Sequence, residues 1–219
     1  MENGILLIDK PAGLTSFGVV ARVRRVLSQQ QGKKVKVGHT GTLDPFATGL
    51  MILVVGKECK NAGNYSKLDK IYEATIRLGQ TSTTGDPEGE INDISGQIPT
   101  REIIDKVLNQ FRGQITQRPP IYSAIKIDGQ RAYKLAREGK VIEMPERQVT
   151  IYNLDVIDYS YPELKIKVSV SSGTYIRTLA QDIGEELKTG AYCNQLRRIS
   201  IADWTIDQAK LLADMGITD

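Results

Sequence analysis

The sequence predicts an α+β fold, on three observations. Runs with a two-residue apolar period, such as Tyr72, Ala74, Ile76 and Leu78, indicate half-buried strands. Runs with a three-to-four-residue period, such as Val19, Val20, Val23, Val26 and Leu27, indicate amphipathic helices. The two kinds alternate without the strict strand–helix–strand rhythm of a doubly wound parallel sheet. No repeat, low-complexity tract or linker interrupts the 219 residues, so a single domain over 1–219 is expected.

Ile5-Leu6-Leu7-Ile8 reads as a buried strand stopped by the turn Lys10-Pro11-Ala12-Gly13. Thr15 or Ser16 can cap the helix that follows, and Arg22, Arg24 and Arg25 fall mostly off its apolar stripe. Lys33 to Val37 reads as a short basic strand. Gly38 to Leu50, GHTGTLDPFATGL, is a glycine-containing loop running into the apolar strand Met51 to Val55. After the Tyr72–Leu78 strand comes a polar loop, Thr81 to Gly89. Thr100 to Phe111 forms a capped amphipathic helix through Ile103, Ile104, Val107, Leu108 and Phe111. The basic stretch 118–140 contains a short helix ending at Gly139, a residue suited to a helix C-terminus. Leu164, Ile166, Val168 and Val170 alternate as a strand, and Tyr175 to Leu187 is a helix with Ile176, Leu179, Ala180, Ile183 and Leu187 on one face.

Composition narrows the chemistry. A 40% hydrophobic and 25% charged chain fits neither disorder nor a membrane-spanning architecture. Cys59 and Cys193 lack the spacing of a disulfide framework or a zinc site, and the N-terminus lacks the pattern of a secretion signal, so a cytoplasmic location is expected. With His39 the single histidine, catalysis is expected to rest on Asp, Glu, Lys, Arg or Tyr, and no metal site is expected. The net charge of +3 conceals segregation: residues 1–60 carry +5, 61–100 carry −3, 101–150 carry +4 and 151–219 carry −3. Two basic segments suit a polyanion, although solvated lysines and arginines decorate most domains.

Asp44 lies between Leu43 and Pro45, and the proline restricts its backbone to extended conformations that fix the direction of the side chain. An Asp-Pro turn is the plain alternative. Arg177, in the first turn of a helix, sits where the macrodipole disfavours a cation unless an anion compensates. Tyr72 and Tyr175 can complete a core or stack on a nucleobase. No second acid supports the paired-carboxylate arrangement of a glycosidase.

Together, the segments LLIDKPAGLTS, GHTGTLDPFATGL, KIYEATIRLGQT, RPPIYSAIKIDGQRAYKLAREG, SSGTYIRTLAQDIGEEL and LRRISI resemble the TruB family of pseudouridine synthases, bacterial enzymes acting on uridine 55 in the T loop of transfer RNA. The resemblance implies a pseudouridine synthase fold, with a mixed, largely antiparallel sheet flanked by helices and a thumb insertion at 118–140. It makes Asp44 the catalytic carboxylate and Arg177 its ion-pair partner. Tyr72 would stack on the flipped uracil, Tyr175 and Leu196 would line the pocket, and Lys10 and Pro11 would support the active-site loop. His39 would enter the T loop, and Lys126, Arg131, Lys134 and Arg137 would meet phosphates. No cofactor and no obligatory protein partner are implied, and a monomer is expected. Only 199–219 follow the LRR segment, so a catalytic domain without a full C-terminal RNA-binding domain is expected. Competing readings are a guide-RNA-dependent synthase and an RNA-folding or RNA-binding module in which catalysis is not required.

Overall fold

The computed structural model describes residues 2–94, 96–123, 125–127, 129–140 and 142–217, with the side chains of Tyr133 and Arg137 outside the description. The first half of the chain runs β1 (Gly4–Lys10), α1 (Ser16–Gln31), β2 (Val37–His39), β3 (Thr48–Val55), a 3-10 turn (Gly56–Asn61), α2 (Ala62–Ser66), β4 (Lys70–Leu78), β5 (Gln80–Ser82), β6 (Ile91–Asp93) and α3 (Arg101–Gln110). The second half runs β7 (Gly113–Gln117), β8 (Lys126–Ile127), β9 (Gln130–Arg131), α4 (Ala132–Arg137), β10 (Arg147–Ser160), β11 (Glu163–Val170), α5 (Ile176–Glu186), β12 (Ala191–Ile201) and β13 (Trp204–Thr205). Contacts group these into two compact units, 1–72 with 196–219 and 73–195, divided within β4 and within β12.

The first unit is organised on β3, whose residues from Gly49 to Val55 are all buried. β3 pairs antiparallel with β1 along its whole length and with β2 near its end, where His39 lies opposite Leu53. At its start it pairs in parallel with β12, Arg197 opposite Thr48 and Arg198 opposite Gly49. That approach fixes residue 49: Gly49 has φ of 107°, and a Cβ there would lie 2.3 Å from the Arg198 carbonyl oxygen. Leu50, Ile52 and Ile201 form an apolar cluster with Ile5, Leu7, Tyr65, Leu68 and Trp204. Helix α1 begins where Thr15 accepts a hydrogen bond from the Gly18 N–H at 2.9 Å, and it buries Val19, Val20, Val23 and Leu27.

The second unit carries the strand order β12–β4–β11–β10–β7, and β10 runs antiparallel to both β11 and β7. Helix α3 starts at its Thr100 cap and buries Ile104, Val107 and Leu108, while α5 buries Ile176, Leu179, Ala180 and Ile183. Two small hairpins, β5–β6 and β8–β9, stand apart from the main sheet. The α+β expectation is met, with the parallel β3–β12 pair among antiparallel neighbours.

Two local expectations shift. The basic strand expected over 33–37 starts instead at Val37, because Lys33, Lys34 and Lys36 face solvent while Val35 alone is buried, its N–H held by the Ser28 hydroxyl at 3.0 Å. The loop read over 38–50 is shorter, since β2 extends to His39 and β3 begins at Thr48.

Candidate active site

In the first unit the Asp44 loop is held from both sides. The Ser16 hydroxyl donates to the Leu43 carbonyl at 2.9 Å and accepts from the Leu43 N–H at 2.8 Å. Ser16 is free to do so because Thr15 makes the helix cap. On the other side of Asp44, the Pro45 carbonyl accepts from the Gly13 N–H at 2.8 Å and from the Lys10 ammonium at 3.1 Å. Lys10 is fully buried and also donates to the Pro11 carbonyl at 2.8 Å. The segment DKPAGLTS therefore acts as a clamp on Leu43 and Pro45, and the half-buried Asp44 is fixed between them. Asp44 in turn closes a tight turn, its carbonyl accepting from the Ala47 N–H at 3.2 Å.

The loop ends are tied by Arg198, which is 1% exposed. Its Nε donates to the Leu50 carbonyl at 2.7 Å and its Nη2 to the Gly41 carbonyl at 3.1 Å. Its neighbour Arg197 makes a bidentate pair with Asp9 at 2.6 and 3.1 Å, which joins the LRR segment to the β1 end of the clamp. Lys70 is also buried here, donating to the carbonyls of Ser66 and Leu68. Burial, reinforced by the Arg198 charge, pushes its ammonium down to about 8, against a weaker opposing pull from Asp69. Tyr72 and Leu196 are buried in this unit, at the inner ends of its portions of β4 and β12, and His39 is half-buried on β2.

The second unit holds Arg177 and Tyr175. The Arg177 guanidinium is buried and donates to the Thr84 carbonyl at 2.9 Å, the Tyr122 carbonyl at 2.8 Å and the Asp86 carboxylate at 3.0 Å. An anion thus meets the cation that the helix N-terminus would otherwise disfavour. Asp86 is itself buried, and its other oxygen accepts from the Thr84 hydroxyl at 2.6 Å and the Glu88 N–H at 3.1 Å. Tyr175, half-buried at the cap position of α5, is gripped by Gln117, whose side chain accepts from its N–H at 2.7 Å and donates to its carbonyl at 3.0 Å. The Arg147 guanidinium lies over the Tyr175 ring, 4.7 Å from its centre. Arg147 and Gln117 are partners in register across β10 and β7, so one strand pair supplies both contacts.

Sequence reasoning missed Ser16 as a clamp, and it missed Asp86, Gln117, Arg147, Arg198 and Lys70. Asp86 carried a usable signal: like Asp44 it precedes a proline, and Gly85 and Gly89 flank it. The thumb residues lie on β8, β9 and α4, with Lys126, Arg131 and Lys134 exposed; the Arg137 side chain lies outside the described ones. No group of three or more His, Cys, Asp or Glu able to hold a metal occurs among the described residues.

The family model for the N-terminal domain of TruB family pseudouridylate synthases matches residues 24–176, most of the chain and the segment that carries the pinned Asp44 loop. The chain belongs to the TruB family. It is 46% identical over 213 residues to a tRNA pseudouridine synthase B of Cupriavidus pinatubonensis, covering 96% of this chain and 66% of that relative. A tRNA pseudouridine synthase B of Corynebacterium diphtheriae is 42% identical, with 96% and 71% covered, and one of Phocaeicola vulgatus is 44% identical, with 92% and 87% covered. Among solved structures, a chain of a Cbf5–Nop10–Gar1 complex superposes with a TM-score of 0.74 at 29% identity, covering 96% of this TruB chain and 53% of its own length. A chain of an H/ACA RNP bound to a substrate RNA containing 2′-deoxyuridine gives 0.71 at 26% identity, with 96% and 51% covered. The TruB chain described here thus spans about two thirds of the Cupriavidus and Corynebacterium relatives and about half of these two solved chains. No helix of the described residues is long and apolar enough to cross a membrane.

Proposed function

We propose that this chain is a catalytic domain that isomerises uridine to pseudouridine in transfer RNA, at position 55 of the T loop. The reaction breaks the N1–C1′ bond, turns the uracil within the site and joins C5 to C1′. C5 gives up a proton and N1 gains one, so there is no net redox change and no cofactor is called for. The target nucleotide must first leave its stack, at a cost of a few kcal/mol.

The observation that carries the proposal is the double clamp on the Asp44 loop. A carboxylate whose two flanking residues are held by Ser16, Lys10 and Gly13 is positioned before substrate arrives, which removes reorganisation from the chemical step. Asp44 serves as the essential carboxylate, by attack at C1′, addition at C6 or proton removal at C2′. Arg177 pairs with Asp44 in the working site and favours its ionised form. Tyr72 stacks on the uracil, and Tyr175 and Leu196 close the pocket. Pro11 helps shape the clamp, and His39 enters the T loop.

Lys126, Arg131, Lys134 and Arg137 contact phosphates. The β8–β9 hairpin places Lys126 in register with Arg131, which brings two cations to one place on the thumb. The protein acts in the cytoplasm as a monomer, without an obligatory partner. Its 42–46% identity to tRNA pseudouridine synthases, against 26–29% to the ribonucleoprotein chains, favours transfer RNA over a guide-dependent substrate.

The test is to incubate the protein with an unmodified transfer RNA transcript and map pseudouridine at single-nucleotide resolution. Modification at T-loop uridine 55 is expected, and Asp44→Asn should abolish it while leaving RNA binding measurable. Turnover by the Asp44→Asn variant at the normal rate would refute the assignment.

A further inference from the structure

A second feature of the first unit has no part in the chemistry at Asp44. A groove of about 560 Å³ lies beside the end of β3, and Lys33, Lys34, Lys36, Lys57 and Lys60 line it. All five side chains are exposed. Lys33 pairs with Glu2 at 2.8 Å, but both groups are well over half exposed and the pair is weak. Among the described residues, no ion pair engages Lys34, Lys36, Lys57 or Lys60. Glu58, the acid adjacent to Lys57, is occupied elsewhere, accepting from the Tyr65 hydroxyl at 2.7 Å and the Asn61 amide at 3.0 Å.

The lysines are mounted on a built surface. The Gly56 N–H donates to the Lys36 carbonyl at 2.8 Å, and the Lys57 N–H donates to the Asn3 side chain at 2.7 Å. Gly56 has φ of 62°, and a Cβ there would lie 2.3 Å from both the Asn3 side-chain oxygen and the Glu2 carbonyl. The segments before β2 and after β3 are therefore locked together at this point, with Val37 opposite Val55. Concentrating like charge on a rigid surface is unfavourable unless an anion compensates.

The chemistry of the lining specifies the anion. Lysines offer point charges suited to phosphate without base readout, and no aromatic side chain lines the groove to stack an exposed base. β3 leads from the Asp44 loop at Thr48 to the groove at Gly56, eight residues or about 25 Å at ~3.3 Å per residue. We infer that this groove binds the phosphate backbone of a helical stem of the RNA substrate, remote from the reacting nucleotide. The inference rests on the proposed action on transfer RNA and adds a contact surface beyond the thumb.

The experiment compares wild-type protein with the triple variant Lys34→Gln, Lys36→Gln, Lys60→Gln. A control carries the same charge loss at exposed lysines of the second unit, Lys106→Gln, Lys165→Gln, Lys167→Gln. Binding of a transfer RNA transcript is measured across a salt series, and turnover is measured in parallel. The groove variant should bind about tenfold more weakly, raise KM correspondingly, hold kcat within about twofold, and flatten the log–log salt slope by roughly 2 to 3, for about 0.7–0.9 per lost phosphate contact. The control should match wild type. Unchanged affinity and slope in the groove variant would overturn the inference, as would an equal loss in the control, which would make the effect one of overall charge. Wild-type protein that binds transfer RNA but forms no pseudouridine would instead overturn the proposed reaction and leave the groove standing on the binding data.

Discussion

Removing the Ser16 hydroxyl tests whether the clamp sets the position of Asp44. In Ser16→Ala the Leu43 N–H and carbonyl lose partners at 2.8 and 2.9 Å in a buried setting. Leaving a buried backbone donor unpaired costs about 1–3 kcal/mol. The helix itself does not suffer, because Thr15 supplies its cap and alanine is the better helix former. For a chain of this size each kcal/mol moves the midpoint by about 2–4 °C, so a mid-range cost of ~2 kcal/mol lowers Tm by about 4–8 °C. Displacement of a catalytic group by ~1 Å costs about a hundredfold in rate. Lys10 and Gly13 still hold Pro45 in the variant, so kcat should fall roughly 10- to 100-fold with KM nearly unchanged. Thermal unfolding and single-turnover pseudouridine formation read the two effects separately. A lowered Tm with wild-type kcat would refute the reasoning, because the loop would then be placed by something other than Ser16.

Two further outcomes follow from buried charge. Asp86→Asn removes the charge of the carboxylate that accepts from Arg177 in a buried pair, which should cost about 1–3 kcal/mol in urea unfolding; a variant as stable as wild type would show that the pair does not hold the second unit together. Burial, then the charges of Glu185 and Glu186, push Asp182 up from 3.8 to about 6. The folded state therefore binds the extra proton between those values, and stability falls as pH rises through that window. Asp182→Asn should raise Tm at pH 7.5 and lose its advantage near pH 4, as thermal unfolding across that range will show.

The parts of the fold legible in the sequence are those whose signals are local. Thr100 and Gly139 mark helix ends through their own side chain or backbone freedom, and β11 alternates without interruption from Leu164 to Val170. β10 was missed because its register shifts between Ile151 and Asn153 and again between Val156 and Asp158, which breaks the two-residue period on which strand reading depends. The site divides in the same way. Asp44 declared itself through its proline and glycines, whereas the contacts that hold the candidate residues of each unit act across long stretches of chain: Ser16 to Leu43 spans 27 residues, Gln117 to Tyr175 spans 58 and Arg177 to Asp86 spans 91. Nothing local in Gln117 or Arg147 distinguishes it from a solvated polar residue; only the pairing of β7 with β10 brings both to Tyr175.

The tie made by Arg198 has a consequence in time. Its two carbonyl partners, Leu50 and Gly41, were synthesised 148 and 157 residues earlier. At about 5–20 residues per second, the Asp44 segment is made roughly 7–30 s before the strand that closes it. A nascent chain that has not yet passed Arg198 lacks both this tie and the parallel partner of Thr48 and Gly49. The tie on the Asp44 loop is therefore complete only once the chain has been made as far as Arg198.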